Sequence, residues 1–336
     1  MAGLPVNSSP AFEEAINVTP LDSHRYSAIL QDEWCIGTVP HGGYTTAVLY
    51  RLALTHFAHT HPTLYDAPAT PISIQLSFLR RTTAGPAVLT VQDMKLGART
   101  STIHVSLCQP SEKKVKQGEL EVKVAGYITV SPPTAEVGFT FNTEWSSQSA
   151  AQGSGPNGSV NLTALGQTGR DGKWVRLKPS FPKFRRATRQ VEVYGPDPGL
   201  GKPKVIQQWS RFRPGGDPEA RWTNEAVAFL ADVFPLALSA FDQMALAAST
   251  PSQESTEQTS RFWYPTVTLN VDFKKRLPAQ GAEWLYSQVH TKVVRDGRTD
   301  LDVVILDEQG DVVASSTQVG LMLSASRNVG QRQMKM

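Results

Sequence analysis

The sequence predicts an α+β fold made of two tandem copies of one unit, a long helix followed by an antiparallel sheet. Three observations carry that expectation. A helical apolar stretch followed by four strand-like segments occurs twice, once before residue 130 and once after residue 204. The segment ISIQLSFLRR (72–81) aligns with VTLNVDFKKR (267–276), which sets Phe78 over Phe273 at 273 − 78 = 195 residues. The turn GARTS (97–101) likewise matches DGRTD (296–300).

The elements follow in order. After Gly42 and Gly43, residues Ala47, Val48, Leu52, Ala53 and Phe57 keep helical spacing, and the helix stops at a histidine cluster and Pro62. Residues 72–81, 87–96, 100–109 and 119–130 then read as strands separated by turn-forming TTAGP, GAR and PSEKKVKQG. From 131 to 203 the pattern dissolves, with Ser/Gly-rich SSQSAAQGSGPNGS (146–159) and the break GPDPGLGKP (195–203). Order resumes with a strand at 204–213 and a strongly apolar helix at 225–248. Strands are expected at 264–278, 283–294, 299–307 and 311–323. The expected organisation is therefore an N-terminal unit (1–130), an extended linker (131–203), a C-terminal unit (204–325) and a tail (326–336). One unit cannot cover its own sheet, so the two should pack edge to edge as a built-in dimer. A long helix wrapped by an antiparallel sheet, repeated, is the double hotdog architecture.

Composition narrows the function classes. A formal charge of +3 over 336 residues gives no global attraction to nucleic acid. The start lacks a basic segment followed by an apolar run, and no run approaches the roughly 18 consecutive apolar residues of a membrane span. Two cysteines, Cys35 and Cys108, suit a reducing, cytoplasmic setting. No G-x-S-x-G elbow occurs, and GPDPGLGKP lacks P-loop spacing. His56, His59 and His61 suggest metal spacing only superficially, since no acid or cysteine lies near them in sequence, and no metal site is expected.

The chemistry is carried by AFLADVFP (228–235), PTVTLNVDFKKRLP (265–278) and VVASSTQVGLM (312–322). In that order they resemble three signature segments of the type II acyl-CoA thioesterases, which are double hotdog enzymes with motifs of the form LxYxSD, a Thr or Ser seven residues before a strand Phe, and VASxxQxG. The resemblance covers 205–325 well and 34–130 loosely, and it has no counterpart for 131–203. It implies that the catalytic carboxylate is Asp232, the hydroxyl residue Thr266 and the glutamine Gln318. In thioester hydrolysis such a carboxylate takes a proton from water as general base, while hydroxyl and amide orient that water. Gln318 would then be tolerated in an interior strand because its amide is paired; an unpaired one costs roughly 1–3 kcal/mol.

Period-two alternation raises a difficulty. It groups Gln318 with Ala314, Ser316 and Gly320, opposite Val313, Val319 and Leu321, and sets Thr266 opposite Val267, Leu269 and Val271. If those valine- and leucine-bearing faces cover the helix, a bulge or strand end must bring the three groups together. Pro235 removes the amide that would bond the Ala231 carbonyl, so the helix should bend beside Asp232.

HGGY (41–44) is a second candidate. A helix opened by Gly42 and Gly43 presents unblocked amides at its positive end, and the resemblance implies an oxyanion role for the Gly43 or Tyr44 amide. Close packing of glycine explains the same residues equally well. His41 is a candidate substrate contact. The first repeat has Pro71 where Thr266 sits, and Val124 or Ala125 near the position of Gln318, so one working site is expected. The basic, aromatic-bearing segment 173–189 offers Arg185 and Arg186 as contacts for coenzyme A phosphates, although a solvated linker strand is the plainer reading and single-stranded nucleic acid a poorer one.

The resemblance implies an acyl-CoA or acyl-carrier-protein thioester as partner, no cofactor beyond coenzyme A as part of the substrate, and a place in lipid or secondary metabolism; the architecture is compatible with homo-oligomers. Two alternatives stay open. One is a non-hydrolytic dehydratase, lyase or cyclase acting on a biosynthetic or polyketide-type intermediate. It would be expected to use an Asp–His pair, and no histidine is expected beside Asp232, Thr266 and Gln318, which counts against it. The other is a non-catalytic acyl-binding module.

Overall fold

The alternation of Ile74 and Leu76 with Gln75 and Ser77 makes one face of a strand apolar, and the same rule shapes several of the main strands of the sheet. The computed structural model of the protein describes residues 10–111, 118–141, 143, 160–197, 205–248 and 262–329. After a short helix α1 (Pro10–Ala15) come β1 (Arg25–Leu30), the long helix α2 (Gly42–Thr60), and strands β2 (Thr70–Phe78), β3 (Gly85–Lys95), β4 (Ser101–Pro110) and β5 (Leu120–Ser131). Helix α3 (Leu162–Thr168) and β6 (Val191–Pro196) precede β7 (Ile206–Phe212), α4 (Asn224–Leu230) and α5 (Pro235–Ala248). Strands β8 (Thr266–Phe273), β9 (Leu285–His290), β10 (Arg298–Leu306) and β11 (Val312–Leu321), with a terminal helix α6 (Ser326–Val329), complete the chain.

The main strands form one antiparallel sheet in the order β1-β3-β4-β5-β2-β8-β11-β10-β9-β7-β6. The two units meet at β2 and β8, where Gln75 opposes Asn270. Because 270 − 75 = 195, the offset of the sequence repeat, the pair lies on the local two-fold that relates the units. Inward residues of both halves, including Leu76, Leu89, Ile103, Leu269, Val271 and Val303, join α2 and α4 in a single core. The stretch 224–242 has the length and mean apolarity of a membrane span, but most of it is buried within this core.

Residues 160–197, expected to be linker, instead build onto the second unit. β6 pairs with β7, and two short strands at Arg170–Asp171 and Trp174–Arg176 extend the edge. Tyr194, Trp209, Tyr286 and Leu306 oppose one another across four strands, forming an aromatic row on the outer face. Leu165 of α3 and Trp174 cover that row in a second, smaller core. These strands are two to six residues long and interrupted by Gly and Pro, so their periodicity is too brief to read. Trp174 and Phe184 are buried, which leaves Phe181, partly buried, as the one other aromatic in 173–189 for a nucleic-acid surface. The tail also begins with structure: Asn328 donates to the Ile36 carbonyl at 2.8 Å and accepts from the Thr38 amide at 3.0 Å. The Ser/Gly-rich stretch 146–159 lies outside the described residues, as do 198–203 of the second break. Cys35 and Cys108 are both free and buried.

Candidate active site

The site is built where the second unit's helix breaks. α4 ends at Leu230, the chain turns through 231–234, and α5 starts at Pro235, which has no N–H to continue the ladder. The carbonyl of Ala231, left without that partner, accepts from Ser316 Oγ at 3.2 Å. The Val233 carbonyl accepts from Gln208 Nε2 at 2.8 Å. Two strand side chains thus hold the turn open with Asp232 at its centre. Neither Ser316 nor Gln208 was singled out in the sequence, although a polar residue on an inward strand row is the signal that marks both.

The facing difficulty resolves in two parts. In β11 the inward, buried residues are Ala314, Ser316, Gln318 and Gly320, so Gln318 already faces the helices and the apolar-face expectation was wrong for this strand. Small residues line that row because the helical turn approaches closely. Thr266 starts on the outward row of β8, but the register with β11 shifts between Thr266, opposite Gly320, and Thr268, opposite Val319. The bulge at Val267 turns Thr266 to the Gln318 side.

The three groups converge. Thr266 Oγ1 lies 3.5 Å from both Asp232 Oδ1 and Gln318 Oε1, at the long limit of a hydrogen bond. Gln318 Nε2 is buried with no protein acceptor at hydrogen-bond geometry, although the Gln318 side chain stands near enough to Asp232 to favour its ionised form. Asp232, 7% exposed, accepts from the Gly43 amide through Oδ2 at 2.8 Å. Burial pushes its carboxyl above the usual carboxylate range, against the opposing pull of His41 and the Gly43 amide.

The first unit supplies the other wall. His41 caps α2, its Nδ1 accepting from the Gly43 amide at 3.1 Å and standing 3.5 Å from Asp232 Oδ2. That corrects the expectation that no histidine lies beside these residues; chain folding brings one across 191 positions of sequence. Burial pulls the His41 imidazole below its ordinary value, toward the neutral form. Since Nδ1 accepts from an amide, its proton sits on Nε2. A Cβ on Gly43 would lie 2.3 Å from the Phe229 carbonyl oxygen, and one on Gly42 2.6 Å from Asp232 Oδ2 and 3.3 Å from Thr266 Oγ1, so close approach requires both glycines, Gly43 against α4 and Gly42 against Asp232 and β8. The Gly43 N–H is shared between the Asp232 carboxylate and His41 Nδ1. The Tyr44 N–H, third in the helix, has no intrahelical acceptor. Tyr44's ring is buried elsewhere, its hydroxyl donating to the Ala15 carbonyl at 2.6 Å.

The first unit keeps the frame without the groups. It has the same bulge, between Pro71 and Ser73, but Pro71 carries no hydroxyl. Ile74, the counterpart of Leu269, opposes Ile128, so Ile128 stands where Gln318 stands, not Val124 or Ala125. Arg185 and Arg186 are not presented as a phosphate clamp. Arg185, 3% exposed, pairs with Asp242 at 3.2 Å. Arg186 donates to the Gly37 carbonyl at 2.9 Å and to Asp32 Oδ1 at 2.5 Å, tying segment 186–190 to the first unit. Arg185 is thus buried and Arg186 half-buried, each already engaged by a carboxylate of this chain.

A double hotdog with a carboxylate, a hydroxyl and an amide gathered at the break of its second helix defines a class of acyl thioester-handling proteins. Family models agree: residues 30–131 match the acyl-CoA thioesterase N-terminal domain and 137–322 the acyl-CoA thioesterase C-terminal domain. The chain belongs to the acyl-CoA thioesterase family. It is 30% identical to the thioesterase-like protein TwmA of Talaromyces wortmannii over 97% of this chain and 95% of that one. Among solved structures, the fold is shared with acyl-CoA thioesterase II TesB2 of Mycobacterium marinum (19% identity, TM-score 0.55, covering 94% of this chain and 99% of that one). It is shared also with a hot dog fold protein of Alicyclobacillus acidocaldarius (17% identity, TM-score 0.62, covering 94% and 99%).

Proposed function

We propose that the protein hydrolyses an acyl thioester of coenzyme A or of an acyl carrier protein, with Asp232 as general base and Thr266 and Gln318 orienting the attacking water. The observation that carries this reading is the buried, unpartnered Nε2 of Gln318 beside Thr266 Oγ1 and the Asp232 carboxylate. A buried donor of this kind calls for a partner, and a water among the three would accept from Gln318 and give its proton to Asp232. Attack by that water on the thioester carbon expels the thiolate, with the Tyr44 amide at the positive end of α2 available to the oxyanion. Family membership supports the reaction; the assignment of roles rests on the geometry. A carrier-protein or coenzyme A thioester is the only co-substrate besides water.

A second reading has one observation behind it, the approach of His41 to Asp232 across the two units. It assigns the pair to acid–base chemistry on the acyl chain, without loss of the thiol. The Nδ1 cap favours hydrolysis, because it leaves that nitrogen no proton to exchange with Asp232. The test is a panel of acyl thioesters of varied chain length, followed for free thiol and for dehydrated or hydrated acyl products. Hydrolysis predicts stoichiometric thiol and a His41→Ala variant within about 10-fold of wild type, weakened mainly by a lost cap of ~1 kcal/mol. Altered acyl chains without thiol, with His41→Ala as inactive as Asp232→Asn, would establish the second reading. Binding with neither product would leave an acyl-binding module.

The base must be ionised to act, so kcat/KM should rise with pH through an acid limb set by Asp232. Burial places that limb above the ordinary carboxylate range. A profile of thiol release that is already flat at the pKa of a solvated aspartate, near 3.9, would contradict it.

A further inference from the structure

At the far end of α2 from the candidate active site, three imidazoles surround one carboxylate. β3 carries its inward row Ala87, Leu89 and Val91 on to Asp93, an acid where an apolar residue is expected. Asp93 faces the C-terminal end of α2, where the carbonyl ends of the helix make the surroundings electronegative. Its ion pairs among the described residues are all with histidines. His56 Nε2 is 2.9 Å from Oδ1, while His61 Nε2 at 2.9 Å and His24 Nε2 at 3.2 Å share Oδ2. The acidic partner missing from the sequence around the histidines is supplied by a strand more than thirty residues away.

We propose that His24, His56 and Asp93 form a divalent transition-metal site, of the kind that takes Zn2+. The candidate ligand atoms of these three residues all lie within 4.8 Å of one another. In a tetrahedral zinc site with bonds of about 2.0–2.1 Å, ligand atoms stand about 3.3 Å apart, so the set closes on an ion by side-chain rotation. Two neutral nitrogens and a carboxylate oxygen suit zinc better than calcium or magnesium, which favour oxygen. His61 then donates through Nε2 to the carboxylate's other oxygen, as the outer partner of a metal-bound acid does.

The surroundings of His56 fit this assignment. The ring is fully buried, and its Nδ1 lies 2.8 Å from the Tyr26 hydroxyl, which donates to the Ser23 carbonyl at 2.9 Å. With Tyr26 donating to Ser23, the Tyr26 oxygen can accept from His56 Nδ1–H, so an ion placed between His56 and Asp93 would displace the Nε2 proton that now faces Asp93 Oδ1 and take the Nε2 lone pair. His24, with a side chain 43% exposed, gives the ion an entrance and leaves the fourth position to water. His56 is fourteen residues along the helix from Gly42, about 20 Å away, so the site stands apart from the thioester chemistry.

The test uses the full-length chain, stripped with a chelator and titrated with Zn2+ by calorimetry, with Co2+ absorption as a spectroscopic reporter. One saturable equivalent per chain is expected, with visible Co2+ bands of tetrahedral type and a Tm that rises with Zn2+ concentration. His24→Ala, at a partly exposed position, should weaken Zn2+ binding at least ~100-fold and abolish the Co2+ bands while thioester turnover is unchanged; Tyr26→Phe should weaken it roughly 10-fold. Wild-type protein that takes up no saturable equivalent, or a His24→Ala variant that binds Zn2+ as wild type does, would reduce the cluster to a hydrogen-bonded clamp and overturn the proposal. Asp93→Asn, if it folds, gives a second reading of the same outcome.

Discussion

Asp232→Asn is expected to lower thioester turnover by on the order of 10²–10⁴-fold, the range that a positioned general base contributes. The same variant should be as stable as wild type at neutral pH, or more so. Burial raises the native carboxyl's pKa, so the folded chain holds this proton more tightly than the unfolded one. From the unfolded pKa upward, ionised Asp232 therefore weighs increasingly against the fold, and the penalty is complete once pH passes the raised native value. Asparagine removes that penalty and still accepts from the Gly43 amide through its carbonyl oxygen. Thermal melts beside initial rates of thiol release check both halves. Turnover within a few-fold of wild type would end the assignment of Asp232 as base, and a collapsed melt would leave the rate uninformative until a second variant, Gln318→Ala, is measured.

Gly43→Ala should damage both stability and rate. The new Cβ would meet the Phe229 carbonyl oxygen at 2.3 Å and Asp232 Cβ at 2.9 Å, and a backbone oxygen inside a helix does not step aside alone. α2 and α4 must part, at a cost of about 1–3 kcal/mol for overpacking. Displacing the carboxylate by about 1 Å costs roughly 100-fold in rate. Gly42→Ala provides the contrast: its Cβ meets the Asp232 Oδ2 and Thr266 Oγ1 side-chain atoms at 2.6 and 3.3 Å, so activity should fall with a smaller change in Tm. Chemical denaturation and kcat measured on both variants check this. A Gly43→Ala protein with unaltered midpoint and kcat would show that the helices are not so close.

Much of this was legible in the sequence, for reasons that differ by residue. The repeat could be read because both copies keep strand periodicity over eight or more residues, and the 195-residue offset of Phe78 and Phe273 is the offset at which Gln75 meets Asn270. The helix break could be read because Pro235 acts on its own turn. Thr266's direction could not, since a bulge depends on a partner strand 50 residues away that period-two counting does not include. His41 beside Asp232 and Asp93 among the histidines are contacts between elements, invisible to any local pattern. Arg185 looked solvent-facing because its segment is basic, yet the fold places it against Asp242.

The substitution of Pro71 and Ile128 for a hydroxyl and an amide has a wider consequence. A duplicated scaffold that confines its reaction to one copy places unequal demands on the two. On the proposed reading residues 266 and 318 answer to the substrate, whereas 71 and 128 answer only to packing, so the first unit should tolerate other apolar residues of similar volume there. What it cannot surrender is the pair of glycines it lends across the seam. Drift in the first half is therefore free at 71 and 128 and arrested at the mouth of its helix.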